Sequence, residues 1–289
     1  MARRDQPPRP SVFGLGHSRL IALVALKRPE IAKSRLASLP APLRRRLAWT
    51  MALDTLTSLA EVLPVIVISQ QSNLAEQLRR HDISAQVIGE PAATGINAAL
   101  RHGEEAAMAQ GFSGTLACVA DLPAVRPTSI QTVLAAAPDV PRAFVPDASG
   151  EGTTMLIARG SRLDPRFQGR SAEAHRASGA LELGIDELGG RLPDARRDVD
   201  NEADLSEAFQ LGLGPATGQL FDATGNLGRY AMIMTGELLP DGARIAVTRS
   251  GTRLIMNEDC ANAQLSRLKS GHRMHAAISS DRVLSAWLT

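Results

Sequence analysis

The chain has 289 residues, 32 Lys and Arg against 30 Asp and Glu, and a formal net charge of +2 at pH 7. That length can bury one good core and leave a remainder for a small second domain. The overall balance implies no polyanionic partner, although residues 1–46 hold eleven Lys and Arg against two acids, Asp5 and Glu30, as phosphate-bearing ligands would favour.

No apolar run reaches the ~18 residues that a membrane span needs. Cys118 and Cys260 lie far apart, and Cys118 falls within an apolar run. That argues against a disulfide framework and for a reducing, cytoplasmic setting. Residues 1–18 carry no apolar core of a signal peptide and read as a flexible leader.

Arg19 to Leu26 is a first buried strand, broken by Lys27-Arg28-Pro29. A loop from Glu30 to Ala41 contains Lys33-Ser34-Arg35-Leu36. Pro42 suits a first helical turn, and Leu43, Leu47, Met51 and Leu56 mark a helix to about Leu59. Pro64 to Ser69 is a second strand, Asn73 to Arg80 a helix, and Ala85 to Ile88 a third strand. Glu90 to Gly95 is a turn before a helix from Ile96 to Met108. The fourth strand runs through Leu116-Ala117-Cys118-Val119-Ala120 and ends in Asp121-Leu122-Pro123, because proline cannot continue the ladder.

Pro127 to Ala137 is helical, Ala143 to Val145 and Thr153 to Ala158 are strands, and Ser171 to Ala177 is a short helix. Asp200 or Asn201 can cap a helix over Glu202 to Gln210, and Gly212-Leu213-Gly214-Pro215 closes the unit. Strand and helix alternate at short spacing. The expected fold is therefore α/β, with a three-layer, mostly parallel, Rossmann-like sheet over residues 19–217.

Beyond about Gly218 the texture changes. Short runs at Tyr230–Met234, Arg244–Val247, Arg253–Met256, Met274–Ile278 and Val283–Leu288 are separated by turn residues. Residues 218–289 therefore read as a small all-β barrel of oligonucleotide-binding type. Its eight basic residues against six acidic ones, and its few aromatics, make nucleic acid an unfavoured partner. Packing or a homodimer contact is the expected role.

In open α/β sheets ligands bind at the carboxyl ends of the strands. Asp121 belongs to that edge and is a candidate metal ligand. Lys27, Lys33 and Arg35 in the first loop suit a polyphosphate, which needs several fixed cations. Glu90, Gly95 and Asn97 flank the third strand's end. Small residues there let a flat ligand approach, and Asn97 carries a donor and an acceptor on one head. Alternation in Arg197-Asp198-Val199-Asp200 puts both aspartates on one side of an extended segment, so Asp198 or Asp200 can join Asp121 around Mg²⁺. Helix capping by Asp200 is the competing role.

Several of these stretches resemble, in order, the 2-phospholactate and phosphoenolpyruvate guanylyltransferases of deazaflavin coenzyme biosynthesis, in the molybdenum-cofactor guanylyltransferase-like superfamily. They are Lys27 with Ala32-Lys33-Ser34-Arg35-Leu36, Gly95 to Leu100, Ala120-Asp121-Leu122-Pro123, Val145-Pro146-Asp147, Gly152-Thr153-Thr154 and Arg197 to Asp200. The resemblance spans about Leu20 to Thr217.

It implies a nucleotidyltransferase that joins GMP from GTP to the phosphate of a three-carbon acid: phosphoenolpyruvate, 2-phospholactate or 3-phosphoglycerate. Pyrophosphate leaves. It implies Mg²⁺ held by Asp121 and Asp200, triphosphate neutralised by Lys27, Lys33 and Arg35, and guanine facing Glu90, Gly95 and Asn97. The acceptor pocket maps to Thr153 or Thr154 with Gly169 and Ser171. Here Gln168 stands where the family has glycine after Phe167, and Gly169 comes one place late. Arg176, one turn beyond, could reach a carboxylate.

Relatives that act on molybdopterin or sugar phosphates carry a Gly-Gly-rich loop with Ser-x-Arg-Met after the first strand. This chain has Ala25-Leu26-Lys27-Arg28-Pro29 instead. A non-catalytic RNA- or partner-binding protein is the third reading, and the presence of both Asp121 and Asp200 weighs against it.

Overall fold

A computed structural model describes residues 19–27, 36, 39, 41–90, 95–137, 140–190, 192–224, 229–240, 243–248, 251, 253–256, 270–271, 273–279 and 282–288. The first strand, β1, is Leu20–Ala25, followed by helix α1, Ala41–Ala60. Then come β2 (Val65–Ser69), α2 (Leu74–Arg80), β3 (Gln86–Gly89) and α3 (Ile96–Ala109). Next are β4 (Gly114–Cys118), α4 (Pro127–Ala136), β5 (Arg142–Pro146), β6 (Thr153–Arg159) and α5 (Ser171–Ala177). The unit continues through β7 (Leu181–Glu182), α6 (Pro193–Arg196), α7 (Glu202–Leu211) and α8 (Pro215–Thr224).

Seven strands form one sheet in the order β3-β2-β1-β4-β6-β5-β7. β3, β2, β1 and β4 run parallel, and β6 is antiparallel to both β4 and β5. β7 returns parallel to β5. The sheet is thus mostly parallel, as the alternating pattern requires.

Its strands are apolar on both faces because both faces are covered. Ala22 and Val24 of β1 and Val65 and Val67 of β2 point into a core with Leu56 and Leu59 of α1, Leu78 of α2 and Ile130 of α4. Their neighbours Ile21, Leu23, Ile66 and Ile68 point the other way, onto Ala99 and Leu100 of α3 and Ala172 of α5. Gly103 brings α3 close to the sheet, since a Cβ there would lie 2.7 Å from Ile68 Cδ1.

α1 buries two faces. Leu53, Leu56 and Leu59 meet the sheet, while Leu47 and Met51 meet Leu205 of α7 and Leu220 and Phe221 of α8. α8 differs from the sequence expectation. The Gly212–Pro215 stretch turns into this helix, which runs across residue 218, and Asp54 of α1 accepts from Ala216 N at 2.8 Å and Thr217 N at 2.9 Å. A cap from a residue so distant in sequence leaves no local signal.

The remaining strands are β8 (Arg229–Leu238), β9 (Arg244–Thr248), β10 (Arg253–Met256), β11 (Arg273–Ser279) and β12 (Arg282–Leu288). They close into a barrel in the order β10-β12-β11-β8-β9. Neighbours pair antiparallel except β10 and β12, which meet in parallel at Ile255 and Arg282. Ile233, Thr235, Ala246, Leu254 and Met256 are buried, whereas Met234 and Ile255 between them are exposed, the alternation of a small barrel. α7 packs against β8 and β11.

Candidate active site

The carboxyl edge of the sheet opens into a cleft of about 800 Å³. β4 ends at Cys118, so Asp121 stands in the loop beyond the strand and not on its last rung. Two hydroxyls of α1 fix that loop. Thr55 Oγ1 lies 3.3 Å from Ala120 O and accepts from Leu122 N at 3.1 Å, and Ser58 Oγ donates to Val125 O at 2.7 Å. Asp121 is therefore held by backbone on both sides while its carboxylate lines the cleft.

The second acidic segment docks directly on this loop. Val199 N donates to Asp121 O at 3.1 Å, and the Val199 side chain is buried with Leu47, Met51 and Leu205. An extended residue buried inward turns both neighbours outward. Asp198 and Asp200 consequently face Asp121, and one carboxylate oxygen from each of the three lies within 4.8 Å of the others. The alternation reading of the sequence left Asp198 and Asp200 as alternatives; the fold brings both to the same point.

Asn201, and not Asp200, caps α7. Its side chain accepts from Ala203 N and Asp204 N, and Asp204 Oδ2 accepts from Asp200 N and Asn201 N, a full capping box. Arg197 pairs with Asp204 at 2.9 Å and with Glu207, which anchors the start of the acidic segment to α7. This set of hard oxygen donors around one point fits a divalent cation such as magnesium or calcium, which carboxylates bind.

Across the cleft, the turn before β6 is shaped by Asp147. Its Oδ1 accepts from Ser149 Oγ at 2.8 Å and Glu151 N at 3.1 Å. Gly152 leaves room for that carboxylate, because a Cβ there would lie 2.5 Å from Asp147 Oδ2. Thr153, Gly169 and Ser171 all line the cleft. Thr154 does not. Its hydroxyl donates to Ala195 O at 2.8 Å and ties β6 to α6, so of the two threonines only Thr153 faces the space. Gln168 has φ +146°, in the region that favours glycine.

His175 is fully buried beneath Thr153, between the rings of Phe144 and Phe167. Burial first, then the Arg142 guanidinium, outweigh Asp164 and lower its pKa to about 4. Arg176, on the same helix, is paired with Glu182 outside the cleft.

Lys27 lines the cleft at the end of β1. Lys33 and Arg35 lie outside the described residues. Glu90, Gly95 and Asn97 are not among the described residues that line the cleft, whereas Ile96, between the last two, lines it. Asn97 Oδ1 accepts from Phe167 N at 2.8 Å, joining α3 to the loop that carries Gln168 and Gly169. Sequence reasoning passed over Trp49, Gln71, Asp147, Glu151 and Arg197, which also line the cleft. Of these, Asp147 and Arg197 carried a signal, as parts of the Val145-Pro146-Asp147 and Arg197-to-Asp200 stretches.

A family profile described as guanylyl transferase CofC like matches residues 20–219. A phosphoenolpyruvate guanylyltransferase of Salinispora arenicola is 42% identical over 205 residues, 68% of this chain and 91% of that protein. Another of that name, from Geodermatophilus obscurus, is 39% identical over 207 residues, 68% of this chain and 92% of that protein. The crystal structure of a protein assigned as a nucleotide-diphospho-sugar transferase, from Desulfovibrio desulfuricans, superposes with a TM-score of 0.54 at 16% identity. It covers 71% of this chain and 96% of that one, a likeness of fold.

Proposed function

Because the chain belongs to the family of CofC-like guanylyl transferases, we propose that it joins GMP from GTP to the phosphate of phosphoenolpyruvate, with pyrophosphate as the leaving group. A phosphate oxygen of the acceptor attacks the α-phosphorus of GTP. A new P–O bond forms as the bond to the β-phosphate's bridging oxygen breaks, and the electron pair departs with pyrophosphate. The attacking oxygen is already anionic, so no protein base is needed. Placement and charge neutralisation carry the reaction. The three aspartates converging within 4.8 Å at the cleft are the observation on which this reading rests.

Asp121, Asp198 and Asp200 would hold Mg²⁺, whose chemistry is to neutralise charge on the reacting phosphates. Lys27, with Lys33 and Arg35 from the loop after β1, takes the triphosphate. Guanine is assigned to the end of the cleft bounded by Ile96, with Gly95 and Asn97 its neighbours in the chain and Glu90 directly after β3. Thr153, Gly169 and Ser171 take the acceptor, which leaves Thr154 a packing role. The relatives' printed names favour phosphoenolpyruvate over 2-phospholactate and 3-phosphoglycerate.

The product would enter deazaflavin coenzyme biosynthesis in the cytoplasm. No described helix is long and apolar enough to cross a membrane. We place the division between the two units after α8, because Leu220 and Phe221 pack on α1. The barrel then serves packing or dimerisation.

The test is an acceptor screen with GTP and Mg²⁺, reading pyrophosphate release and the mass of the product. Release that depends on phosphoenolpyruvate, with the guanylylated acid as product, is expected. Release with no three-carbon phospho-acid, or transfer only to a pterin or sugar phosphate, would refute the assignment.

A further inference from the structure

His175 lies outside the cleft, and the reaction as derived uses no imidazole. Its hydrogen bonds nevertheless determine what Thr153 can do. Arg166 N lies 2.9 Å from His175 Nε2, and a backbone N–H can only donate, so Nε2 is the acceptor. In a neutral ring the proton then sits on Nδ1. Thr153 Oγ1 is 2.9 Å from Nδ1 and must be the acceptor of that contact. With Oγ1 accepting from the ring, the threonine hydroxyl cannot spend its hydrogen on the histidine and keeps it to donate elsewhere, and Thr153 lines the cleft.

We propose that His175 is a positioning residue that fixes the Thr153 hydroxyl as a hydrogen-bond donor to the anionic acceptor. The inference rests on the acceptor assignment made above. A bare hydroxyl can present either its hydrogen or a lone pair, and only the hydrogen attracts a carboxylate or phosphate oxygen. The ring cannot tilt away, because Phe144 and Phe167 flank it with centroids 5.7 and 5.2 Å distant. The groups facing it are Arg142 on β5, Asp164 and Arg166 in the loop after β6, and the Ser171 backbone one turn earlier on α5. Arg142 and Arg166 both pair with Asp164, which keeps the loop against the imidazole.

Two measurements test this. In steady-state kinetics, His175→Phe fills the space and removes the hydrogen bonds of the imidazole. It is expected to raise the KM for phosphoenolpyruvate about tenfold while the KM for GTP stays within about twofold. Thr153→Val should give a comparable rise, and adding His175→Phe to it should cost nothing more, because the histidine acts through that hydroxyl. If Thr153→Val raises the acceptor KM but the two losses multiply, or if His175→Phe alone changes nothing, the positioning role is wrong and the acceptor site stands. If Thr153→Val leaves the acceptor KM unchanged, the acceptor assignment fails and the inference with it.

The second measurement uses the unmutated chain and decides the question even where a variant does not fold. Nitrogen-15 spectra of the imidazole at neutral pH should show a protonated Nδ1 and a bare Nε2. The opposite tautomer, or exchange between the two, would overturn the proposal.

Discussion

Gly214 passes so close to Asp54 that a methyl group on it would lie 2.4 Å from the carboxyl carbon. The approach lets the Asp54 carboxylate reach two backbone amides at the start of α8, Ala216 N and Thr217 N. Burial raises the Asp54 pKa, and hydrogen bonds from Thr217 and Ala216 pull it back. Gly214→Ala should destabilise the protein by about 1–3 kcal/mol, as the carboxylate or the loop must move. Asp54→Ala should cost a similar amount, about 1–3 kcal/mol, because two amides lose their acceptor. Urea melts check both, with the midpoint falling and the slope unchanged.

Replacing the acidic triad separates chemistry from folding. Asp121→Asn, Asp198→Asn and Asp200→Asn should each lower kcat by on the order of 100-fold or more. Far-UV circular dichroism should stay unchanged, since all three carboxylates line the cleft. The Mg²⁺-dependent rise in Tm expected of the parent should shrink in each variant. An Asp198 variant with parental kcat would leave two aspartates to do the work.

The buried imidazole makes stability depend on pH in one direction. The folded pKa of His175 is about 4, against an ordinary 6.5. Between those values the unfolded chain binds a proton that the native ring does not, so stability rises with pH. The contribution is fully present above about pH 6.5 and is lost as the pH falls towards 4. Its full span is on the order of 3 kcal/mol. Denaturation midpoints between pH 4 and 7 should show the slope, and His175→Phe should flatten it. An unchanged slope in the variant would place the titration elsewhere.

Cys118 should be chemically silent in the native protein. It is a free, buried thiol whose pKa is pushed well up, first by burial and then by the Asp121 carboxylate nearby. The thiolate is the reactive form, and here it is suppressed. Iodoacetamide at mildly alkaline pH should label the Cys118 peptide only at the rate of unfolding, as mass spectrometry of the digest will show. Rapid labelling of the folded chain would mean that β4 opens locally.

The α/β order was legible along the chain because each element carries its own period. Short unbroken apolar runs such as Leu20–Ala25 read as strands covered on both faces, and α5 from Ser171 to Ala177 appears at its expected bounds. The barrel strands were legible from alternation and turn residues. Asp121 stood out because proline ends the run two residues later. What no local pattern contains is distance.

The union of Asp121 with Asp198 and Asp200 depends on one hydrogen bond from Val199 N and on a valine buried against α1. The orientation of Thr153 depends on a histidine in another element and on a loop amide, and the separation of Thr153 from Thr154 depends on which face of β6 each occupies. The helical state of Pro215–Thr224 depends on a carboxylate in α1. The chain's own periodicities determine where backbone hydrogen bonds can form. Tertiary packing decides which side chains meet, because those contacts join residues far apart in sequence and exist only once the sheet and its helices have closed on one another.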